Sequence, residues 1–179
     1  IKAQNLDEIF KLFEESESWT YNVAWIDCLQ TGKNIGRSIL MRGEHAFKHE
    51  LPKKLQQNPL RLKQKFIPKV PFYFPDFMLN KWSVRLFNYL YFNKQKRREI
   101  KNFVDYETFF YPLDVVNDWN KIYGKNGFIQ YQMVIPKAQG KEGMRKILNT
   151  IAQRGNGSFL AALKLFGKEN PLAYNAFPL

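Results

Sequence analysis

Five prolines, Pro52, Pro59, Pro68, Pro71 and Pro75, fall between residues 52 and 75. Proline lacks an amide hydrogen and fixes φ, so neither a long helix nor a central strand can cross this stretch. The core must therefore come from what lies on either side, with residues 47–78 carried as a long excursion. A loop of that length in a compact domain is a lid, a binding excursion or a disordered segment.

Before the prolines, Asn5 with Glu8 three residues later marks a helix start. Leu6, Ile9, Phe10 and Phe13 follow at the spacing of one helical face. Tyr21 to Cys28 (YNVAWIDC) is aromatic and β-branched, a strand with Tyr21, Val23, Trp25 and Asp27 on one face. TGKNIG is turn chemistry leading into a second strand, SILMRGEHA, so the pair is expected to return antiparallel. After the prolines, LNKWSVRLFNYLYF predicts a helix whose stripe is Leu79, Trp82, Leu86, Tyr89 and Leu90, with Asp76 near its start. KQKRR ends it, where cations complement the helix dipole.

Glu107 to Pro136 predicts a short extended lead-in, a helix capped by Asp114, a glycine turn and a strand. In that strand Ile129, Tyr131, Met133 and Ile135 share an apolar face that belongs against a helix layer. Phe128, Gln130, Gln132 and Val134 share the other. Two amides among apolar neighbours suit the floor of a site that orients a ligand by hydrogen bonds; edge or solvent positions are the alternative. GKEGMRKILNTIAQRG predicts a helix burying Met144, Ile147, Leu148 and Ile151, closed by Gly155. SFLAALKLF is the last strand, with Leu160, Ala162, Lys164 and Phe166 on one face. A lysine there costs free energy if buried and unpaired, or snorkels out of the sheet. GKENPLAYNAFPL forms a Pro-rich tail.

Together these elements predict an α+β fold: an antiparallel sheet with helices packed mainly on one face, two αβ units and the long basic excursion. With 179 residues, 45% of them hydrophobic, the chain can bury one good core, and 1–179 reads as a single domain. A start without methionine that runs almost at once into a helix suggests a piece of a longer protein.

The net charge of +12 is concentrated: from Phe47 to Asn102, fourteen basic residues face three acidic ones. Three readings are open. The basic third is a solvated surface, a nucleic-acid patch with interleaved aromatics, or a contact for anionic lipid headgroups with FIPKVPFYFPDFML as anchors. No phosphate loop, dinucleotide fingerprint or zinc signature is present. His45 and His49 share one loop, which favours a surface position over a metal site and gives no base for a catalytic triad. Cys28, the single cysteine, reads as core filler in a reducing compartment. Such a chain is poorly equipped as a stand-alone enzyme. It is better suited to supplying a pocket wall for chemistry carried by a cofactor elsewhere.

Three segments in order, YNVAWIDCLQTGKNIGRSILMRGEHA, FFYPLDVVNDWNKIYGKNGFIQYQMVIP and SFLAALKLFGKENP, resemble the substrate (cap) domain of the decaprenylphosphoryl-β-D-ribose 2-oxidase family. These are FAD-dependent oxidoreductases of the vanillyl-alcohol-oxidase superfamily. The AWID, FFYPLD, GFIQYQ and KLFG motifs are modest singly and specific in combination; the likeness is weakest over residues 48–75.

The resemblance implies a two-domain flavoenzyme in which this chain lays an antiparallel sheet over a flavin held by another domain. It implies oxidation of a polyprenyl-phosphate-linked pentose at its C2 hydroxyl by hydride transfer to FAD. An NAD-dependent reductase partner would then complete an epimerisation to the arabinose form. It also implies a role in cell-wall synthesis and a cytoplasmic location that could be peripheral at the inner membrane.

By the same carry-over, Trp25, Phe110, Leu113, Gln130, Gln132, Lys164 and Phe166 would bind substrate, with Gln130 and Gln132 facing the flavin. Phe110 stands where better-known members carry a tyrosine hydroxyl, unless Tyr111 replaces it, which leaves the substrate open. The family's catalytic lysine and active-site cysteine have no counterpart in this chain, so the isolated fragment is expected neither to hold FAD tightly nor to turn over. The alternatives are the cap of another FAD-linked alcohol or aldonolactone oxidase and, from another class, a basic nucleic-acid-binding module.

Overall fold

The computed structural model describes residues 1–62 and 66–167, so the Pro-rich tail from residue 168 lies outside the described residues. In chain order the elements are β1 (Lys2–Ala3), α1 (Leu6–Glu14), β2 (Tyr21–Ile26), β3 (Ser38–Gly43), α2 (Lys53–Gln56), α3 (Lys81–Lys94), α4 (Tyr106–Phe110), α5 (Lys137–Arg154) and β4 (Ala162–Leu163), with short 3-10 turns between them. The fold is α+β, as the sequence predicts. Two compact units divide the described residues: one takes those within 1–44, 80–100 and 131–179, the other those within 45–79 and 101–130.

The first unit holds the sheet, antiparallel throughout in the order β1-β3-β2-β4. Ala24 pairs with Leu40 on one side and Leu163 on the other, and Trp25 pairs with Ile39 and Ala162. On the Ala24 side, Ala24, Ile26 and Leu40 meet Leu6, Ile9 and Phe13 of α1 and Leu148 of α5 in the core. Helix α1 starts as expected: Asn5 Oδ1 accepts from the Glu8 amide at 3.0 Å, and Glu8 reaches back to the Gln4 amide at 2.9 Å. Such a cap contributes about 1 kcal/mol. Helix α5 ends at Gly155, whose φ of +74° and bond to the Ile151 carbonyl make the left-handed cap that favours glycine. Its predicted apolar side is inward, with Leu148 and Ala152 buried and Met144 and Ile151 packed on the core.

Helix α3 departs from expectation. Its buried residues are Val84, Asn88 and Phe92, whereas Trp82, Leu86, Tyr89 and Leu90 of the predicted stripe are exposed. Asn80, not Asp76, is its cap, accepting from the amides of Trp82 and Ser83. The helix meets the sheet through the Asn88–Asp27 hydrogen bond, which a count of apolar residues does not register, and through the Tyr91–Trp25 ring contact, while Val84 joins the core cluster that holds α1 and α5.

In the second unit, two distant segments run side by side. The Val70 amide donates to Asn117 O at 3.0 Å, the Asn117 amide to Pro68 O at 2.8 Å, and the Phe74 amide to Lys121 O at 2.9 Å. Asp118 sits at φ +56° between Lys121 at 2.8 Å and Lys69 at 3.3 Å. Those two ammonium groups hold its carboxyl below the usual range. Tyr123, Trp119 and Phe128 stack together, with Tyr123 and Phe128 ring centres 4.3 Å apart. Asp114 caps no helix: the helix of this stretch is α4, one turn before it, and Asp105 caps it through the Thr108 amide.

Phe128 to Ile135 forms no strand, and its supposedly helix-facing side is open at Ile129, Tyr131 and Met133, with Ile129 96% exposed; Ile135 lies against a helix, beside Gly143 of α5. Alternation makes a segment competent to pair, but a strand also needs a neighbour's backbone donors and acceptors. Among the described residues, none is offered to it. The last strand is likewise shorter than Ser158–Phe166: regular pairing covers Ala162 and Leu163, with one further bond from Ile26 N to Ala161 O.

Candidate functional site

The AWID motif carries a buried ring contact at Trp25 and a buried polar cluster at Asp27, both in the first unit. Trp25 is buried because α3 places Tyr91 over it, ring centres 4.7 Å apart, while its indole N–H donates to Phe159 O at 2.9 Å. Phe87 extends the stack, 5.1 Å from the Phe159 ring. Burial raises the Tyr91 hydroxyl pKa, so the phenol stays protonated.

Asp27, on the same face, is fully buried and accepts from every side. Arg37 donates through Nε at 2.9 Å and Nη2 at 2.8 Å, Gln30 Nε2 at 3.0 Å, Asn88 Nδ2 at 2.8 Å and the Leu29 amide at 3.1 Å. The Arg37 guanidinium in turn lies 4.8 Å over the Phe92 ring. A buried carboxylate is tolerable only when its lone pairs are met in this way. The cluster therefore fixes α3 on the sheet and sets where Trp25 lies. Sequence reasoning placed Asp27 beside Trp25 by parity but missed Arg37 and Asn88; the one signal available was a carboxylate within an apolar strand.

Cys28 is core, as expected. Its thiol donates to Ser158 O at 3.2 Å, and burial pushes its pKa up.

The other predicted site residues are surface residues. Lys164 follows β4 and is exposed, so it is not a buried charge. Phe166 is 47% exposed, Gln132 is exposed, and these belong with Trp25 to the first unit. Gln130, Phe110 and Leu113 belong to the second, where Phe110 packs edge-on against Phe109. The structure brings Trp25 beside Ala162, two residues before Lys164.

Two surface cavities are lined by none of the seven. One, of about 220 Å³, is bounded by Lys2, Gln4, Glu8, Lys96 and Arg98. The other, of about 350 Å³, is bounded by Tyr73, Phe74, Pro75, Asp76, Lys125 and Asn126. The amides of Gln130 and Gln132 carry the donors and acceptors that suit the polar edge of a flavin ring. They sit on an exposed segment that pairs with no strand among the described residues.

No protein-family profile matches the chain. The chain is nevertheless 33% identical to a longer oxidase over 176 residues, 95% of its own length. That relative is the decaprenylphosphoryl-β-D-ribose oxidase of Mycolicibacterium smegmatis, and the chain spans 37% of it. The family resemblance carried by the AWID, FFYPLD, GFIQYQ and KLFG segments thus holds over nearly the whole chain, against one stretch of a longer protein.

Proposed function

We propose that this chain is the substrate-binding domain of an FAD-dependent oxidoreductase that oxidises a sugar hydroxyl. The substrate class is a polyprenyl-phosphate-linked pentose, oxidised at C2 with FAD taking up the hydride. The observation that carries the proposal is the 33% identity to a decaprenylphosphoryl-ribose oxidase along 95% of the chain. Two features of the chain support the division of labour. It has no phosphate-cradling glycine loop, and the glutamines assigned to the flavin side are exposed on a segment that pairs with no strand among the described residues. FAD would be held by the remainder of the protein, and this chain would supply a wall. In the first unit Trp25 is a fixed support, with Gln132, Lys164 and Phe166 as groups that meet substrate; Gln130, Phe110 and Leu113 of the second unit are given the same role by the resemblance alone. An NAD-dependent reductase would act on the ketone produced.

The test is anaerobic reduction of the flavin in the full-length protein by a polyprenylphosphoryl ribose, followed by stopped-flow absorbance. Bleaching of the oxidised flavin band is expected, and Gln132→Ala should slow it while leaving the resting spectrum intact. A full-length protein that purifies colourless, or whose flavin is untouched by the sugar lipid, overturns the proposal.

A further inference from the structure

Helix α3 has two sides of equal spacing. Val84, Asn88 and Phe92 are turned to the protein, and Trp82, Leu86, Tyr89 and Leu90, at i, i+4, i+7 and i+8, are 73%, 59%, 56% and 59% exposed. Side chains at that spacing lie next to one another along a single helical face. Contiguous apolar patches of this kind mark docking surfaces.

Charge indicates the occupant. From Lys81 to Arg98 the chain carries six basic residues, Lys81, Arg85, Lys94, Lys96, Arg97 and Arg98, and no acidic one. Arg85 borders the stripe, its guanidinium 5.8 Å from the Trp82 ring centre. Lys94 closes the helix, and beyond it Lys96 and Arg98 line a cavity of about 220 Å³ with Lys2 and Gln4. Glu8, the one carboxylate at that cavity, is engaged by the Gln4 amide. At fourteen residues the helix is too short to cross a bilayer. Tryptophan, tyrosine and leucine on one face with cations at its border and end are what a helix lying in the plane of a lipid interface requires. Each cation near an anionic surface adds attraction that salt screens. Nucleic acid would meet the cations but offers Leu86 and Leu90 no apolar medium.

We propose that α3 docks this domain on an anionic lipid bilayer, with Trp82, Leu86, Tyr89 and Leu90 in the interface and Arg85, Lys94, Lys96, Arg97 and Arg98 at lipid phosphates.

The experiment is flotation of the full-length protein with vesicles of phosphatidylcholine, alone or mixed with phosphatidylglycerol, at low and high salt. The wild type floats with the mixed vesicles at low salt, and the Trp82 region's emission shifts to the blue. The Leu86→Gln/Leu90→Gln pair weakens binding by about tenfold or more. Neutralising Lys94, Lys96, Arg97 and Arg98 with glutamine removes the preference for phosphatidylglycerol. Both variants keep their circular dichroism and their flavin content. A wild type that stays at the bottom of the gradient overturns the proposal, as do variants that float equally well. Loss of flavin or of hydrodynamic size on Leu86→Gln/Leu90→Gln also overturns it, by giving the stripe a protein partner. So does salt-sensitive RNA binding without vesicle binding. A colourless protein that floats keeps this inference and removes the flavin reading instead.

Discussion

Asn88 donates its side-chain amide to Asp27 Oδ1 at 2.8 Å, joining the middle of α3 to the end of β2 where both residues are fully buried. Its own carbonyl oxygen has no hydrogen-bond partner among the described residues. Asn88 therefore serves Asp27 through its N–H groups and carries an unsatisfied acceptor as the cost. Asn88→Leu removes one hydrogen bond to a buried charge, about 1.5–3 kcal/mol, part of which the loss of the orphan oxygen offsets. Asn88→Asp sets a second carboxylate against the first and should be the worse variant at neutral pH. It should improve relative to wild type in mild acid, where protonating either group relieves the repulsion. Thermal unfolding midpoints at the two pH values decide; the reverse order at neutral pH removes the Asp27 cluster as the clamp on α3.

Arg37 is the stronger half of the same cluster, with Nε and Nη2 both on Asp27 Oδ2. Arg37→Met leaves a buried carboxylate without its countercharge, expected to cost about 3–5 kcal/mol. Arg37→Lys should recover only part of this, since an ammonium cannot reproduce the two-pronged contact or the stacking on Phe92. Denaturant midpoints measure both. Equal loss from Met and Lys would mean that shape, not charge, is what the site requires.

Helix α3 shows why some of the fold was legible and some was not. Its existence and length follow from the sequence, but its exposed and buried sides have the same helical spacing, two residues apart. Hydropathy favours the exposed side, because the buried one contains Asn88. What turns the helix is Asp27, 61 residues away in the chain. Local pattern cannot encode that partner. The capping of α1 by Asn5 and of α5 by Gly155 was legible because both ends of each interaction are local. The parity that joined Gln130 to Gln132 was readable too, but pairing depends on a neighbour strand, and none of the described residues supplies one.

The two sides of α3 therefore make opposite predictions for the same kind of substitution. Phe92 is buried, with Lys2 and Arg37 over its ring, so Phe92→Ala should cost about 3–5 kcal/mol. Trp82→Ala, although it removes a larger side chain, should stay within about 0.5 kcal/mol in the absence of lipid. Comparable losses in chemical denaturation would put the sequence-predicted stripe back inside.

Cys28 gives a pH prediction. Burial raises its thiol pKa in the folded protein. As pH rises past the ordinary thiol value, the unfolded chain loses its proton first, so stability should fall with pH across that window and be unaffected below it. Cys28→Ser or Cys28→Ala should flatten this dependence in alkaline unfolding curves. Native protein should also resist alkylating reagents that modify it fully once unfolded.

Lys164 separates a substrate contact from a structural role. It is exposed just beyond β4, so Lys164→Ala should change stability by no more than about 0.5 kcal/mol. If it meets the phosphate or hydroxyls of the sugar lipid, the full-length variant should lose apparent affinity for substrate, seen as a raised KM with a smaller change in kcat. Lys164→Arg should restore most of the loss and Lys164→Gln little, because an anion contact needs charge before geometry. Unchanged KM in Lys164→Ala, or a loss that Gln repairs as well as Arg, would leave Lys164 a solvated surface lysine and move the search for the phosphate-binding group elsewhere in the protein.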